Sequence, residues 1–365
     1  MVVFDKVDEA ISAIGRGELV VVVDDEDREN EGDLIMAAAK ATPEKIAFMV
    51  RHTSGLLCTP INQEQADRLR LEPMVSRNDA PLATAFTVSI DYRQGLSTGI
   101  SAEERANTVQ ALASNNTQST DFVRPGHIFP LVARRGGVLV RSGHTEAALD
   151  LATLGGCAPV GVLAELVNDD GSVMRLPELL KFAKQHELFI ISIADLIAWR
   201  QRRENLVERI HEFSVKTRVG LATGFSYRTK FEDAEHLALV FGSLNPSSDT
   251  LVRIHREKLV EDIFGPQDEH ESRLVDVAME RLVDAGTGVF IYLRGGFAGV
   301  PLDRLHDDKG SRESMRAREW LEIGVGAQIL RDLGLSDIRI LAGRKVDYVG
   351  LEGFGLHVKG VQLIE

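Results

Sequence analysis

Apolar residues form two kinds of pattern along the first half of the chain, continuous runs and helical spacing. Short continuous apolar runs at 19–23, 34–39 and 160–166 predict buried strands. Residues 5–16 place apolar side chains three and four positions apart, which predicts a helix, and a capped segment at 101–113 predicts another. Strands and helices that alternate in this way are typical of an α/β or α+β domain, so we predict a mixed β-sheet covered by helices.

Capping residues mark where several helices begin. Thr42, Asn62 and Ser101 each precede a helical segment and carry a side-chain oxygen that can accept a bond from a free backbone N–H group. Asp5 stands in the same position before the first helix. The remaining predictions are strands at 55–59, 85–90, 137–140 and 188–193, and helices at 145–154 and 177–186.

The length of 365 residues predicts two domains. A charged segment that begins at Asp195 and runs to Glu208 is predicted to be a helix that links them. We therefore predict a first domain over residues 1–205 and a second over residues 206–365, each built as a mixed sheet covered by helices. The apolar run at 289–293 predicts one strand of the second sheet.

Charge and cysteine content narrow the classes of partner. The net charge of −13 argues against nucleic acid or an anionic membrane as a bulk partner. No apolar run reaches the length of a membrane span, and the first residues lack the basic and apolar regions of a secretion signal. Cys58 and Cys157 stand in apolar surroundings, which is typical of reduced thiols. The sequence therefore predicts a cytoplasmic protein.

An acidic segment at 24–33 directly follows the first predicted strand, and seven of its ten residues are carboxylates. Like charges this close repel one another and raise one another's pKa values. Such a segment persists either because water solvates it or because cations and substrate hydroxyls bind it. Three features favour ligand binding. The segment lies at the end of a strand, it contains the single Arg28 among the acids, and an apolar run follows it at once.

Two stretches combine a fixed backbone with polar side chains. Residues 97–101, which include Thr98, place hydroxyls at the beginning of a helix, where backbone N–H groups can hold a phosphate, although ordinary capping explains the same pattern. Arg105, one turn into that helix, adds a positive charge. His127 lies between two prolines and next to a glycine, and such a rigid backbone suits either a positioned acid or base or a structural turn.

Two further stretches add a cation, an imidazole and a carboxylate. Residues 141–146 offer Arg141 as a cation and His144 as a metal ligand between a predicted strand and a predicted helix. Glu165 lies inside the apolar 160–166 run, where burial is costly and raises the pKa of a carboxylate, so it is a candidate general acid or base. Together these groups fit metal-assisted proton abstraction from a phosphorylated sugar.

The acidic segment, residues 97–101, the segment around His127 and residues 141–146 together resemble 3,4-dihydroxy-2-butanone 4-phosphate synthase, an enzyme of the riboflavin pathway. The resemblance covers residues 1–200, with the motifs in the family's order and spacing. It implies that the first domain converts D-ribulose 5-phosphate to L-3,4-dihydroxy-2-butanone 4-phosphate and formate. Ser97 stands where the family often has Thr, and both residues carry the hydroxyl.

The resemblance also implies roles for individual residues. Two Mg²⁺ or Mn²⁺ ions are expected at Glu29, with His144 binding one of them. His127 and Glu165 match positions that the family needs for catalysis. The implied substrate-binding positions are Arg28, Glu29, Asp33, Thr98, Arg141, Ser142, Gly143, His144, Thr145 and Glu165.

The chemistry that the resemblance implies agrees with these residue types. Two divalent ions on adjacent sugar oxygens acidify the C3 proton and stabilise the enediolate, while a carboxylate or histidine removes that proton. Dehydration, a shift of the carbon skeleton and loss of C4 as formate are expected to follow. The acidic segment carries metal and sugar ligands, so we expect it to close over the substrate.

The second half of the chain resembles GTP cyclohydrolase II, but several positions differ. That family binds zinc through three cysteines, and here Lys258, Glu269 and Glu271 stand in their places. Because lysine cannot replace a thiolate at zinc, we expect no zinc. The positions that the family uses for the nucleotide and for catalysis also differ, at 296–298, Glu319, Leu321 and Ile323.

By this resemblance, the second half lacks the family's zinc thiolates, its nucleotide-binding residues at 296–298 and its catalytic arginine, which is Leu321 here. Their combined loss predicts a second domain without GTP cyclohydrolase activity. Two alternatives stay open. In one, the domain opens GTP with another metal arrangement at residues 269–271, so that the protein is bifunctional. In the other, the domain is a dimerisation or regulatory module without turnover. We expect the protein to be a homodimer.

Overall fold

A computed structural model describes residues 4–25, 28–230, 234–245, 249–265, 273–294, 323–343 and 351–364, without the side chains of residues 352 and 353. The chain divides into two compact units, residues 1–199 and residues 200–365. The predicted division into two domains is therefore confirmed, whereas the boundary between residues 205 and 206 stays a prediction.

The first unit alternates strands and helices, as the sequence pattern predicts. Its strands are β1 Val20–Val23, β2 Gly32–Ala37, β3 Cys58–Ile61, β4 Ile90–Tyr92, β5 Phe122–Val132, β6 Gly161–Glu165 and β7 Phe189–Ser192. Its helices are α1 Val7–Arg16, α2 Pro43–His52, α3 Gln63–Leu69, α4 Ala102–Ala113, α5 His144–Leu154 and α6 Leu176–Gln185, and α7 Ile193–Arg203 follows them.

The strands of this unit form one mixed sheet in the order β4-β5-β3-β6-β2-β1-β7. β1 runs parallel to β7 and antiparallel to β2, while β3 runs parallel to β5. Every residue of β1 and β2 is buried, because helices such as α1 and α5 pack against them. Burial on both faces explains why these strands read as continuous apolar runs rather than as alternating ones.

Three of the four predicted helix caps are confirmed. The side chains of Thr42, Asn62 and Ser101 accept bonds from the backbone N–H groups three residues further on. The prediction for Asp5 is wrong, because Lys6 stands at the cap position of α1. The Asp5 carboxylate instead accepts a bond of 2.8 Å from the backbone N–H of Ile190, and so ties the beginning of the chain to β7.

Two other elements differ from their predictions. The strand predicted at 137–140 is a single 3₁₀ turn, Gly137–Leu139, because Gly137 has a φ of 64° and the N–H of Val138 bonds the Asp150 carboxylate. The helix predicted from Asp195 to Glu208 ends at Arg203, and a strand begins at Val207. The strands predicted at 55–59 and 85–90 lie a few residues further along, as β3 and β4.

The second unit holds another mixed sheet, as predicted. Its described strands are β8 Val207–Thr217, β9 Gly220–Thr229, β10 Glu235–Phe241, β11 Thr250–Arg256, β12 Gly288–Leu293, β13 Asp337–Ala342 and β14 His357–Leu363. They lie in the order β14-β13-β11-β12-β10-β9-β8. β8 to β10 are antiparallel neighbours, whereas β11 runs parallel to both β12 and β13.

Helices cover this second sheet. The described helices are α8 Leu259–Phe264 and α9 Leu274–Asp284, and residues 323–332 are helical as well. Ala278, Met279 and Leu282 of α9 pack on Leu251 and Phe290 of the central strands. In both units, none of the described helices is long and apolar enough to cross a membrane.

Candidate active site

The acidic segment connects β1 to β2, and hydrogen bonds hold several of its described residues, which are 24, 25 and 28–33. The backbone N–H of Asp24 donates to the carbonyl of Glu31 at 3.0 Å, which closes the loop at its base. Within the loop, one guanidinium nitrogen of Arg28 bonds both the Asp24 carboxylate, at 2.8 Å, and the Glu29 carboxylate, at 2.5 Å. The arginine that the sequence places among the acids therefore offsets the repulsion between two of them.

His144, from helix α5, faces the acidic segment. It is the first residue of α5, it is buried, and its Nε2 donates to the carbonyl of Val22 in β1 at 3.1 Å. That bond leaves Nδ1 facing two carboxylates, Glu29 at 3.5 Å and Asp33 at 3.9 Å. A histidine whose one ring nitrogen is tied to a backbone carbonyl offers the other nitrogen as a metal ligand.

Burial and charge oppose one another at this cluster. Burial disfavours the charged form of Glu29, but its bond to His144 and the charge of Arg28 outweigh it and lower the pKa to about 2. Burial likewise disfavours charged His144, but Asp33, Glu29 and Asp24 raise its pKa to about 9. Burial raises the pKa of Asp33 to about 8, and the neighbouring carboxylates of Glu165 and Glu29 add to this while His144 opposes it.

The cluster fits a divalent cation. Ligand atoms of Asp24, Glu29 and His144 all lie within 4.8 Å of one another. Oδ1 of Asp33 beside them is buried and has no hydrogen-bond partner, so an acceptor faces the same space. Carboxylate oxygens with an imidazole suit Mg²⁺ or Mn²⁺, whereas they do not form the sulfur-rich set of a structural zinc site. Asp24 is a candidate ligand that the sequence alone did not single out.

Glu165 lies directly beside the metal candidates. It is the last residue of β6 and pairs with Asp33 across the antiparallel β2. Its carboxylate accepts a bond of 2.7 Å from the hydroxyl of Ser54, and it is half-buried. The sequence predicts a buried Glu165, whereas the structure leaves it partly exposed. Its charge acts on Asp33, so the carboxylate lies near the cluster. Ser54 is a partner that the sequence did not indicate.

His127 lies in the long strand β5, not in a turn, so the structural-turn interpretation is wrong. Cys58 of β3 pairs with Phe129 on one side and with Leu163 on the other. His127 and Glu165 each stand two residues beyond these paired positions, so both lie towards the beginning of β3.

Asp91 of β4 holds His127 at two points. One carboxylate oxygen lies 2.7 Å from Nδ1 of the ring, and the other accepts a bond of 2.9 Å from the backbone N–H. Asp91 is 3% exposed, whereas the histidine side chain is 40% exposed, so Nε2 is the nitrogen free to meet a substrate. Gly99 packs directly against this pair, and a side chain there would collide with Asp91. Asp91 had no sequence signal beyond its short strand.

Residues 141–145 lie at the beginning of α5. Arg141 is held by the buried Glu146, at 2.8 Å, and by the carbonyl of Leu82, at 3.2 Å. Gly143 caps the helix, so Ser142 and Thr145 stand beside its free N–H groups, where an anion is favoured. The substrate-binding roles of these residues stay predictions, although the segment does lie next to the metal candidates through His144.

Residues 97–101 are engaged by a side chain of their own helix. The Glu104 carboxylate accepts bonds from the backbone and the hydroxyl of Ser97 and from the hydroxyl of Ser101. Thr98 is exposed and lies next to Gly99, which touches the Asp91–His127 pair. The Glu104 carboxylate thus bonds two of the hydroxyls that the sequence offers to a phosphate, and the role of Thr98 stays a prediction.

Comparison with known proteins identifies a family for each half of the chain. The family model of 3,4-dihydroxy-2-butanone 4-phosphate synthase matches residues 8–199, and that of GTP cyclohydrolase II matches residues 208–362. The chain belongs to the 3,4-dihydroxy-2-butanone 4-phosphate synthase family. It is an enzyme of riboflavin biosynthesis, with a GTP cyclohydrolase II-like unit as its second domain.

Several curated relatives match nearly the whole chain. The chain is 46% identical over 371 residues to the bifunctional riboflavin biosynthesis protein RIBA 1, chloroplastic, of Arabidopsis thaliana, covering 98% of this chain and 68% of that one. It is 46% identical over 374 residues to the riboflavin biosynthesis protein RibBA of Salinispora arenicola, covering 99% and 89%. A monofunctional RIBA 2 of Arabidopsis thaliana is 45% identical over 366 residues, covering 98% and 76%.

Solved structures resemble the chain in two ways. RibBX of A. baumannii, described as a two-domain 3,4-dihydroxy-2-butanone 4-phosphate synthase, matches with a TM-score of 0.81 and 36% identity, covering 99% of this chain and 100% of that one. A 3,4-dihydroxy-2-butanone 4-phosphate synthase in complex with two magnesium ions matches with a TM-score of 0.54 and 43% identity, covering 55% and 98%.

Proposed function

We propose that the first unit converts D-ribulose 5-phosphate to L-3,4-dihydroxy-2-butanone 4-phosphate and formate. One observation carries this proposal: Glu29 and His144 face one another beside Asp33 and Glu165. The cluster combines ligands for a divalent cation with Glu165, a partly exposed carboxylate of the type that acts as a general base. The solved synthase in complex with two magnesium ions supports Mg²⁺ as the cation. Two ions per active site and Mn²⁺ as an alternative cation are further parts of the proposal.

Each side chain has a separate task in this proposal. Glu29, His144 and Asp24 hold the cation, and the cation, when bound, acidifies the carbon next to the sugar oxygens that it binds. Glu165 and His127 accept and return protons at the sugar carbons, because both are partly exposed and both lie towards the beginning of β3. Arg28, Asp33, Thr98 and residues 141–145 bind the sugar phosphate.

The decisive assay follows formate release from D-ribulose 5-phosphate by the full chain. We expect turnover with Mg²⁺, loss of turnover with EDTA, and recovery when Mg²⁺ is added in excess. Formate release that persists at full rate after EDTA treatment and dialysis would contradict the proposed metal site.

For the second unit we propose that GTP is not opened and that no zinc is bound. The family has a zinc-binding thiolate at the position of Lys258. Here the ammonium group of Lys258 is exposed and pairs with Glu261 at 2.7 Å, which supports the proposal. His255 nearby is buried and bonds Asp262 at 2.9 Å. Residues 269, 271, 296–298, 319 and 321, on which the same proposal depends, lie outside the described residues, and Ile323 begins the helical stretch at 323–332.

A second candidate function is a bifunctional enzyme that also opens GTP. The names of the RIBA 1 relatives favour it, whereas the monofunctional RIBA 2 and the two-domain synthase RibBX favour the proposal above. Zinc analysis of the purified chain and a GTP-turnover assay separate the two. Stoichiometric zinc with GTP-dependent formate release would establish the bifunctional alternative.

Assembly and location belong to the proposal as well. A second unit without turnover is still a packed α/β module, which supports its use as a dimerisation or regulatory domain and the expectation of a homodimer. We propose a cytoplasmic location, and several plant relatives are named as chloroplastic. Sedimentation of the purified chain tests the dimer directly.

A further inference from the structure

Helix α6 lies against the acidic loop and contacts it at two points one helical turn apart. Arg175, the residue that caps α6, reaches the loop through its guanidinium group, and Leu179 reaches it through its side chain. Neither residue belongs to the metal candidates or to the predicted substrate-binding positions. Their separation in sequence from Glu29 is about 150 residues, so only the fold brings them there.

The first contact is a fork of two charged hydrogen bonds. One guanidinium nitrogen of Arg175 donates to the carbonyl of Glu29 at 2.9 Å and to the carbonyl of Asn30 at 2.6 Å. Asn30 has a φ of 53°, a left-handed backbone that few residues adopt without support. The bond to its carbonyl therefore stabilises the sharp bend that directly follows the metal candidate Glu29.

The second contact fixes the end of the loop. Leu179 is fully buried, and its methyl groups lie so close to Gly32 that an added Cβ would approach one of them to 2.5 Å. Glycine at this position lets the helix approach the backbone at the first residue of β2. Arg175 and Leu179 together hold the four residues from Glu29 to Gly32 against α6.

Arg175 is itself held at the beginning of α6. The backbone N–H of Arg175 bonds the Glu178 carboxylate at 3.0 Å, which is the capping arrangement that defines where α6 begins. Arg175 also brings a positive charge to a loop that is rich in carboxylates.

We propose that Arg175 is a positioning residue that sets the affinity of the acidic loop for its divalent cation, without contacting the cation or the substrate. It does so by holding the Glu29 and Asn30 carbonyls, which aims the Glu29 carboxylate at His144. This inference rests on the proposed metal site. Groups that orient metal ligands from behind commonly change metal affinity by 10- to 100-fold when they are removed.

The test measures Mn²⁺ binding to the full chain without substrate, from the electron paramagnetic resonance signal of free Mn²⁺. We expect Arg175→Met, which keeps the aliphatic part of the side chain, to raise the dissociation constant for Mn²⁺ by about tenfold. Arg175→Lys keeps the charge and a nitrogen that can donate to carbonyls, but its shorter side chain ends in an ammonium group instead of the planar guanidinium group. Its dissociation constant should therefore fall between those of the wild type and Arg175→Met. Lys181→Ala, which removes an exposed cation from the same helix, serves as the matched control and should bind like the wild type.

Turnover provides an independent readout. At saturating Mn²⁺, kcat of Arg175→Met should stay within about twofold of the wild type, while the Mn²⁺ concentration for half-maximal rate rises by about tenfold. Unchanged Mn²⁺ affinity in Arg175→Met, with affinity lost in Glu29→Gln, would overturn this inference and leave the proposed function intact. If Glu29→Gln bound Mn²⁺ like the wild type, the metal site itself would be wrong, and the inference with it.

Discussion

Asp91 uses both of its carboxylate oxygens on His127, one on the ring at 2.7 Å and one on the backbone N–H at 2.9 Å. The ring bond makes Nδ1 the protonated nitrogen and leaves Nε2 as the acceptor. The backbone bond ties the main chain of His127 to Asp91 of β4. A buried carboxylate behind an exposed imidazole is an arrangement that orients a general acid or base.

Asp91→Asn tests this arrangement. An amide can turn its NH₂ group towards Nδ1 and so stabilise the wrong tautomer, so we expect kcat to fall by about 10²-fold with KM changed by less than about fivefold. The measurement is steady-state formate release. Asp170→Asn, in an exposed turn, removes the same charge and should have no effect. Wild-type kcat in Asp91→Asn would show that the orientation of His127 is not needed.

His127→Ala and Glu165→Gln test the two groups assigned to proton transfer. Each variant should lose turnover while it binds D-ribulose 5-phosphate within about tenfold of the wild type, because these side chains act on protons rather than on the phosphate. Calorimetric titration of the sugar phosphate measures binding. A variant with unchanged turnover at saturation and weakened binding would instead identify that residue as a substrate-binding group.

Glu29→Gln tests the metal ligand. The amide keeps the size of the side chain but removes the charge that faces His144 and the cation, so formate release should fall by about 10³-fold or more. The fold should persist, as checked by circular dichroism, because Glu29 is half-buried in a loop and does not belong to the hydrophobic core. Activity within tenfold of the wild type would mean that Glu29 is not a ligand.

The second unit offers a prediction about pH. His236 of β10 is buried, and this burial, together with Arg294, lowers its pKa to about 4. As pH falls from 6.5 to 4, the unfolded chain binds a proton that the folded chain does not, so the stability present above pH 6.5 is lost across this window. Between pH 7 and pH 5 the loss is about 2 kcal/mol.

His236→Asn isolates this contribution, because an asparagine oxygen can still accept the bond that the backbone N–H of Arg294 donates to the histidine at 3.2 Å. Hydrogen exchange of β10 at pH 7 and pH 5, corrected for intrinsic rates, gives the local free energy of opening. The variant should lose less stability than the wild type on acidification. An equal loss in both proteins would remove His236 as the cause.

The sequence predicted most of the first fold because its elements carry independent signals. The apolar run at 19–23 is β1, and Thr42, Asn62 and Ser101 cap the helices that they precede. The predictions failed where a distant partner decides the structure. Asp5 bonds Ile190 rather than its own helix, a contact across 185 positions that no local pattern encodes.

The candidate site divides in the same way. Glu29, His144 and Glu165 stand out in sequence as charged groups at strand ends, and the fold brings them together. Asp91 and Arg175 were not predicted, because each acts only through a residue far away in the chain. An aspartate in a three-residue strand and an arginine before a helix look ordinary until the register of the sheet and the packing of α6 are known.

The most direct test of the central claim supplies D-ribulose 5-phosphate labelled with carbon-13 at C4, together with unlabelled GTP and Mg²⁺, and follows formate by NMR. If only the first unit is catalytic, wild-type protein releases labelled formate in step with the four-carbon product, and Glu29→Gln releases none. Formate without the label, persisting in Glu29→Gln, would contradict the claim that the second unit is silent. Absence of labelled formate from the wild type would contradict the proposed activity of the first.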